Sequence, residues 1–196
     1  GSYNSGFGYA ALNANTSGTK NTAVGVQSLD ANTSGNYNVA IGHNSLGLNT
    51  TGSSNIAIGR AALTTSTTTS GNIAIGDEAL QLNTGDANIA IGRNAMDANT
   101  TGVACTAIGN NALGKSNTNN CVAIGNGAMA ENTSGTENVA VGTYALDANT
   151  TGQSNTAVGT YALGQSTTAG NNTAIGKSSL TSNTTGGNNT GVGYQT

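Results

Sequence analysis

The sequence contains no proline and no tryptophan, a single phenylalanine and a single histidine, and only 7% of its residues are charged. Disordered chains usually combine low hydrophobicity with high net charge, so this composition argues against charged disorder. The five Lys and Arg residues are scattered and the formal net charge is −3, so no basic stripe is available to neutralise phosphates. We therefore expect no nucleic-acid partner.

Membrane-spanning and targeting segments are also missing from the sequence. No apolar run approaches the roughly 18 residues of a membrane span, and no signal-peptide pattern opens the chain. The chain starts with Gly1-Ser2, which is consistent with a cloning scar, and lacks an initiator Met. We expect a fragment of a longer fibre protein, without membrane insertion in this segment.

The chain does contain 30 glycines, and twelve of them recur at a nearly constant spacing. Successive copies lie about 17 residues apart, and two of the intervals are one residue shorter than the others. The consensus is N-[T/V/I]-A-[V/I]-G-x-x-[A/S]-L-x-x-N-T-[T/S]-G-x-x. In such an array each unit buries its apolar face only against its neighbours, so the sequence predicts one repeat array over residues 1–196. The repeat glycines are Gly8, Gly25, Gly42, Gly59, Gly76, Gly92, Gly109, Gly125, Gly142, Gly159, Gly176 and Gly193.

The phrase NxAxG has the period-two alternation of a β-strand. Its middle residue is Ala in ten copies, so both faces of the strand are predicted to be packed. A Leu four residues after the glycine, replaced only by Met96 and Met129, is predicted to close the core of each coil. The Val or Ile before the glycine is interpreted as the core ladder, which comprises Val24, Ile41, Ile58, Ile75, Ile91, Ile108, Ile124, Val141, Val158 and Ile175.

The rest of each repeat consists of turn-forming residues. Asn and Ser bond to their own backbone at corners and Gly supplies positive φ, so residues 149–152 (NTTG) are typical of a corner. Two strands and two corners in a single repeat leave no room for a helix. We predict an all-β fold, a parallel β-solenoid (β-roll) of about twelve 17-residue coils, roughly 50 Å long at 4.7–4.9 Å per coil.

A weaker superperiod accompanies the repeat. The corner Asn becomes Ser at Ser66, Ser116 and Ser166, which are equally spaced along the chain, three copies apart each time. Duplication of a three-repeat cassette and a three-coil structural period both explain this spacing.

The small apolar content of each coil predicts self-association. Burial of one Leu, one Val or Ile and a few smaller residues contributes roughly 5 kcal/mol, against an ordering cost several times larger. The second face of the NxAxG strand is therefore predicted to pack on another chain, and a parallel homotrimer would use every restricted position.

The repeat phrases resemble those of known fibre proteins. Residues 138–142 (NVAVG) and 55–59 (NIAIG) resemble the NSVAIG repeat of YadA-like trimeric autotransporter adhesin heads, although those repeats are shorter. The longer phrase NTAVGxxALxxNTTG, carried by residues 155–159 and 138–152, is similar to repeats of phage and bacterial tail-fibre-type proteins. The resemblance implies a left-handed homotrimer in the shaft or head of an extracellular fibre, at the cell surface or on a virion.

Partners other than the chain itself would use its lateral surface. Under the fibre hypothesis, a cell-surface receptor or glycan would contact exposed Asn, Thr and Tyr side chains. Tyr144 and Tyr161 occupy equal positions on adjacent coils, and simple surface packing is the alternative interpretation of this pair.

Titratable residues that could support catalysis are few, and they do not recur together. His43 is the only histidine and Asp77-Glu78 the only adjacent acid pair, and both are interpreted as solvated surface residues. Asp30, Asp97 and Asp147 share one repeat position but do not fall on adjacent repeats. The Gly-rich phrases lack the Lys of a phosphate loop. We predict no enzyme, no cofactor and no metal site.

A column of threonines supplies a second functional hypothesis. Thr follows the corner Asn or Ser in ten copies, which places hydroxyls at coil spacing, and such columns can order water. An ice-binding β-solenoid is therefore the alternative to a fibre segment. The column comprises Thr16, Thr33, Thr50, Thr67, Thr84, Thr100, Thr133, Thr150, Thr167 and Thr184.

The two cysteines, Cys105 and Cys121, both replace the first Asn of NxAxG. That Asn is predicted to form a ladder of stacked amides. Because the two copies are consecutive, the cysteines are expected on adjacent coils with Cα atoms about 5 Å apart, within disulfide range. We predict an intrachain disulfide between coils, with reduced stacked thiols as the alternative.

Overall fold

Each repeat phrase forms one short β-strand. The computed structural model describes residues 1–196, and the chain contains no helix. In most strands a β-branched residue stands on each side of a small central residue, in agreement with the period-two pattern. The strands are β1 (Ser5–Phe7), β2 (Thr22–Val24), β3 (Val39–Ile41), β4 (Ile56–Ile58), β5 (Ile73–Ile75), β6 (Ile89–Ile91), β7 (Thr106–Ile108), β8 (Val122–Ile124), β9 (Val139–Val141), β10 (Thr156–Val158), β11 (Thr173–Ile175) and β12 (Thr190–Val192).

The strands form one twelve-stranded parallel sheet in sequence order. Equal repeat positions pair with each other, so Ala57 of β4 faces Ala74 of β5. The two shorter coils keep this register, because β5 pairs Ile73 with Ile89 and β7 pairs Thr106 with Val122. The missing residue is therefore absorbed in a turn. The predicted parallel β-solenoid with coils of about 17 residues is confirmed.

The turns of each coil stack on those of the next coil without forming a second strand. The prediction of two strands per coil was therefore wrong. Leu46 N–H, for example, donates to Ala62 O of the following coil at 3.0 Å, although φ at Leu46 is 48°. Positive φ at each core Leu or Met breaks the extended conformation that a strand requires. Reversal of the chain within each short coil thus leaves only three residues per coil in β conformation.

The core is a narrow column of small and medium side chains. Ala57 and Leu63 are fully buried, as are their equivalents in the central coils, so the prediction that Leu closes each coil is confirmed. The repeat glycine marks a close approach between coils. At Gly59 φ is 137°, and a Cβ would lie 2.6 Å from the carbonyl carbon of Gly76. Only glycine fits that position, and it recurs in all twelve copies.

Two ladders of buried asparagine amides connect the coils. In the first ladder, Asn38 N–H donates to Asn21 Oδ1 at 2.9 Å and Asn38 Nδ2 donates to Gly52 O at 2.8 Å. This is the ladder of stacked amides expected at the first Asn of NxAxG. The second ladder uses the corner Asn, where Asn49 Nδ2 donates to Asn32 Oδ1 at 2.9 Å. Buried polar groups are costly unless paired, so the ladders stabilise the stack and fix its register.

Candidate functional site: the outer face of the sheet

The middle residue and the flanking residues of each strand point to opposite faces of the sheet. In β4, Ala57 is buried, whereas Ile56 and Ile58 are half-buried. The same pattern, with the middle residue buried and the flanking residues half-buried or exposed, holds from β2 to β11. The first and third residues of these strands therefore form two outward columns, which we call the outer ladder face.

The predicted core ladder lies on this outer ladder face and not in the core of the chain. Val24 is 38% exposed, Ile41 39% and Ile175 43%. The column of Leu and Met side chains already fills the interior, so only Ala fits opposite it, and period-two alternation then sends the β-branched residues outward. The residues to which this correction applies are Val24, Ile41, Ile58, Ile75, Ile91, Ile108, Ile124, Val141, Val158 and Ile175.

The outer ladder face is a long apolar stripe. From β3 to β9 thirteen of its fourteen side chains are Val or Ile, with Thr106 the exception, and none is charged. The first-position column, which includes Val39, Ile56 and Ile73, was not recognised in the sequence as part of this surface. Its signal was the restriction of that position to Thr, Val and Ile. Large contiguous apolar patches on a protein surface mark interaction sites.

One edge of this face carries an ion-pair cluster. The residue after each repeat glycine projects there, and Arg60 Nε lies 2.9 Å from Asp77 Oδ1 while Arg60 Nη2 lies 2.8 Å from Glu78 Oε1. His43 stands at the equivalent position one coil earlier and is exposed. The acid pair is thus held by a cation on an exposed edge. No group of three or more His, Cys, Asp or Glu side chains converges on one point.

The threonine column directs its hydroxyl hydrogens along the stack. Thr33 Oγ1 donates to Thr50 O at 3.0 Å and Thr150 Oγ1 to Thr167 O at 3.0 Å. Seven of the ten threonines make this bond to the next coil. These hydroxyls satisfy backbone carbonyls at a turn and present few donors to solvent.

The two tyrosines stack on each other at the surface. The ring centroids of Tyr144 and Tyr161 are 5.4 Å apart, with 14° between the ring planes. Tyr144 also covers Gly127 of the preceding coil, where a Cβ would lie 2.6 Å from the tyrosine ring. Both rings remain partly exposed, at 38% and 44%. The observed contacts are those of surface packing along the stack.

The cysteines lie on adjacent coils, as expected, and both are free thiols in this structure. The intrachain disulfide stays a prediction. Cys105 Sγ donates to Thr118 O at 3.2 Å and Cys121 Sγ to Gly135 O at 3.4 Å. The side chains are parallel neighbours at the rung spacing of about 4.7–4.9 Å. Cα atoms at the rung spacing fall within the range of about 4.4–6.8 Å that disulfides span, so the disulfide and the reduced stacked thiols both stay open.

These features define a class of protein, a parallel β-solenoid with an apolar outer sheet face. The chain matches no protein-family model, no curated protein and no solved structure. The chain contains no helix long and apolar enough to cross a membrane.

Proposed function

We propose that the chain is a structural segment of an extracellular fibre, in the shaft or head of a surface adhesin or tail fibre, built as a left-handed homotrimer. The observation that carries this proposal is the outer ladder face, two columns that are Val or Ile from β3 to β9 except at Thr106 and that a single chain leaves partly exposed. The likeness of the NVAVG and NIAIG phrases to YadA-like adhesin heads supports the same assembly.

The periodicity of the stripe favours another copy of this chain as its partner. Side chains repeat along it about every 4.8 Å, and only a partner with the same repeat can match each rung over about 50 Å. The two shorter coils add an irregularity that a parallel, in-register copy would reproduce. A stripe this long and two side chains wide offers about 500 Å². A stable pair buries about 800 Å² per partner, so this stripe alone is small for a dimer interface, and the choice of a trimer follows the likeness to YadA-like adhesin heads.

A trimeric rod would act as a spacer or display element. A rigid stack with ladder hydrogen bonds in every coil can hold a binding tip away from a surface without catalysis. Direct adhesion to a receptor or glycan would fall to side chains that project from the turns, including the Tyr144 and Tyr161 pair. This display role is secondary to the assembly and depends on it.

The oligomeric state tests the proposal. Sedimentation equilibrium of the 19.1 kDa chain at micromolar concentration is expected to give three chains per particle. The double variant Ile58→Lys/Ile75→Lys places charges on the outer ladder face and is expected to sediment as a monomer with unchanged β circular dichroism. Thr51→Lys, on an exposed turn, is the matched control and should remain trimeric. A monomeric parent chain would overturn the trimer and remove the main support for the fibre role.

A further inference from the structure

Arg93 and Asp86 carry opposite charges and lie at opposite edges of one rung of the outer ladder face. Asp86 comes three residues before β6 and Arg93 two residues after it, and both side chains are exposed. The residues between them, 88–92, span roughly 13 Å at about 3.3 Å per residue. The strand therefore holds the two charges apart within one chain.

Neither charge is neutralised inside the chain. The three ion pairs of the chain use Arg60 and Lys115 as cations, and none includes Arg93. Asp86 Oδ1 accepts the Ser70 N–H at 2.8 Å, which leaves the negative charge of Asp86 without a cation. One rung thus presents a free cation at one edge and a free anion at the other.

The orientation of a second copy decides which edges meet. Copies related by a rotation axis along the rod bring opposite edges of the outer ladder face together at each rung, whereas antiparallel copies bring equal edges together. In a parallel, in-register assembly, Arg93 of one copy therefore faces Asp86 of the next. An arginine and a carboxylate pair through two parallel N–H···O bonds, which adds geometric specificity to the attraction.

Side-chain size along the two edges also favours this arrangement. The edge after β4, β5 and β6 carries three charged side chains, and the edge before these strands carries three small, exposed residues. The charged residues are Arg60, Asp77 and Arg93, and the small ones are Ser54, Gly71 and Ala87. Because Ala87 directly follows Asp86, a guanidinium from a neighbouring copy can reach this carboxylate without displacing a bulky side chain.

The other free charges at the edges meet uncharged residues in this register. Lys20 faces Val26, Glu137 faces Thr143, and Lys177 faces Asn171. No rung of a parallel, in-register assembly therefore sets two like charges against each other. Only the rung of β6 sets two opposite charges against each other.

We propose that Arg93 and Asp86 form an ion pair between neighbouring copies of this chain and that this pair fixes their parallel orientation and register. The inference rests on the proposed self-assembly and specifies one of its contacts. A slip of one coil sets Asp86 against Asp77 in one direction and against Asn110 in the other, so either slip loses the attraction.

Charge reversal, followed by sedimentation equilibrium, tests the pair. Arg93→Asp sets two carboxylates against each other, so the concentration at which half of the chains are assembled should rise at least about tenfold. Lys177→Asp makes the same charge change on the same edge, opposite an uncharged residue, and should shift this concentration less than about threefold. Circular dichroism checks that each variant keeps the fold.

Exchange of the two charges provides the rescue. Asp86→Arg alone sets two guanidinium groups against each other and should weaken assembly as Arg93→Asp does. Asp86→Arg/Arg93→Asp restores opposite charges and should bring the concentration of half-assembly back to within about threefold of the parent value. A purely structural role of either residue would instead make the double variant the weakest of the three.

Cross-linking tests the contact directly. A disulfide cannot join positions 86 and 93 of one chain, because it requires Cα atoms less than about 7 Å apart. Oxidised Asp86→Cys/Arg93→Cys should therefore give three linked chains on a non-reducing gel, while each single variant should run as one chain. The native thiols are buried, so the parent serves as the control. Linked pairs from a single variant would mean antiparallel copies and overturn the proposal.

The outcomes separate this inference from the proposed function. A monomeric parent overturns both. A trimeric parent in which Arg93→Asp assembles as well as Lys177→Asp, or in which the charge exchange gives no rescue, overturns the ion pair and leaves the fibre proposal standing.

Discussion

The side-chain oxygen of Asn132 lies so close to Gly135 that a Cβ on the glycine would stand 2.6 Å from Oδ1. Gly135 N–H donates to this oxygen at 3.1 Å and Asn132 Nδ2 donates to Gly135 O at 2.9 Å. The Cβ would lie even closer to Gly152 O of the next coil, so the corner Asn and this carbonyl together require a Gly here. In all eight copies with Asn the corner ends with Gly, whereas the three Ser copies pair Ser66 with Thr69, Ser116 with Thr118 and Ser166 with Ala169.

This coupling explains why two positions change together in the three-copy superperiod. A Ser hydroxyl is shorter than an amide, so it leaves space for the Cβ of Thr or Ala. Replacing the corner Asn by Ser also lowers the stability of the chain, because Ser116 Oγ and Ser166 Oγ are buried without a hydrogen-bond partner. It does not account for the interval of three coils, for which cassette duplication and a three-coil structural period stay open.

The first prediction concerns this pair of positions. Ser166→Asn places an amide against the Cβ of Ala169, and overpacking of this kind costs about 1–3 kcal/mol. The double variant Ser166→Asn/Ala169→Gly restores the consensus corner and satisfies the buried group, so it should be at least as stable as the parent. Thermal unfolding followed by circular dichroism measures both. Equal stability of the two variants would show that the positions are not coupled.

The second prediction tests which face of the strand is inside. Ala57 is fully buried, so Ala57→Val should lower stability by about 1–3 kcal/mol through overpacking. Ile58→Val, the next residue on the outer ladder face, should change the stability of the single chain by about 0.5 kcal/mol or less. Denaturant unfolding of both variants in an Ile75→Lys/Ile91→Lys background, which places two charges on the outer ladder face and is expected to be monomeric, separates folding from assembly. A larger loss of stability for Ile58→Val than for Ala57→Val would mean that Ile58, and not Ala57, faces the core of the chain.

Much of the fold could be predicted from the sequence because a repeat presents the same constraint many times. The glycine spacing, the Leu column and the stacked Asn each recur in nearly every copy, and their physical reasons are local to one coil. Alternation along NxAxG shows that a strand has two faces, but it does not say which face is inside. Side-chain volume decides that question, and Ala57 with its equivalents was the signal that pointed inward.

Two features of the candidate sites could not be predicted, because they depend on how closely particular groups approach each other once the chain is folded. The contact between a corner Asn and its Gly arises only once the turn closes. The thiol geometry likewise depends on the parallel register, which sets Cys105 and Cys121 side by side on adjacent coils. Sequence spacing places the cysteines on neighbouring coils and says nothing about the direction of their Cα–Cβ bonds.

The third prediction concerns the buried amide ladder. Asn55 Nδ2 donates to Thr69 O at 2.8 Å, and Asn55 Oδ1 accepts from Asn72 N–H at 3.0 Å. Asn55→Ala leaves both partners buried and unpaired, so it should cost about 2–4 kcal/mol in the free energy of unfolding. Asn126→Ala, at an exposed position, should change stability by about 0.5 kcal/mol or less. A cost at Asn55 no larger than that at Asn126 would contradict the structural role of the ladder.

The fourth prediction addresses the ice-binding alternative. Because Thr33 and its equivalents donate to carbonyls of the next coil, we expect no thermal hysteresis from the purified chain. The measurement compares ice-crystal growth in solutions of the native and the heat-unfolded chain at equal concentration. Hysteresis present only in the native sample would support the ice-binding function over the fibre segment. The variant Thr33→Val would then show whether the threonine column or the outer ladder face is responsible.

The last prediction uses the partly buried carboxylates. Burial raises the pKa of Asp97, backbone N–H groups including that of Ala98 oppose the shift, and Glu78 adds to it. A carboxyl whose pKa is raised by folding binds protons more tightly in the folded state, so the chain loses stability as pH rises from the ordinary value of 3.8 through the folded-state pKa.

Asp97→Asn removes this charge while keeping an oxygen for the Ala98 N–H. The variant should therefore have a higher thermal midpoint than the parent at about pH 7, and the difference should shrink towards zero at about pH 3, where the parent carboxyl is protonated in both states. Asp147→Asn should behave in the same way, because burial also raises the pKa of Asp147. A difference that grows on acidification would mean that the ionised carboxylate stabilises the folded chain.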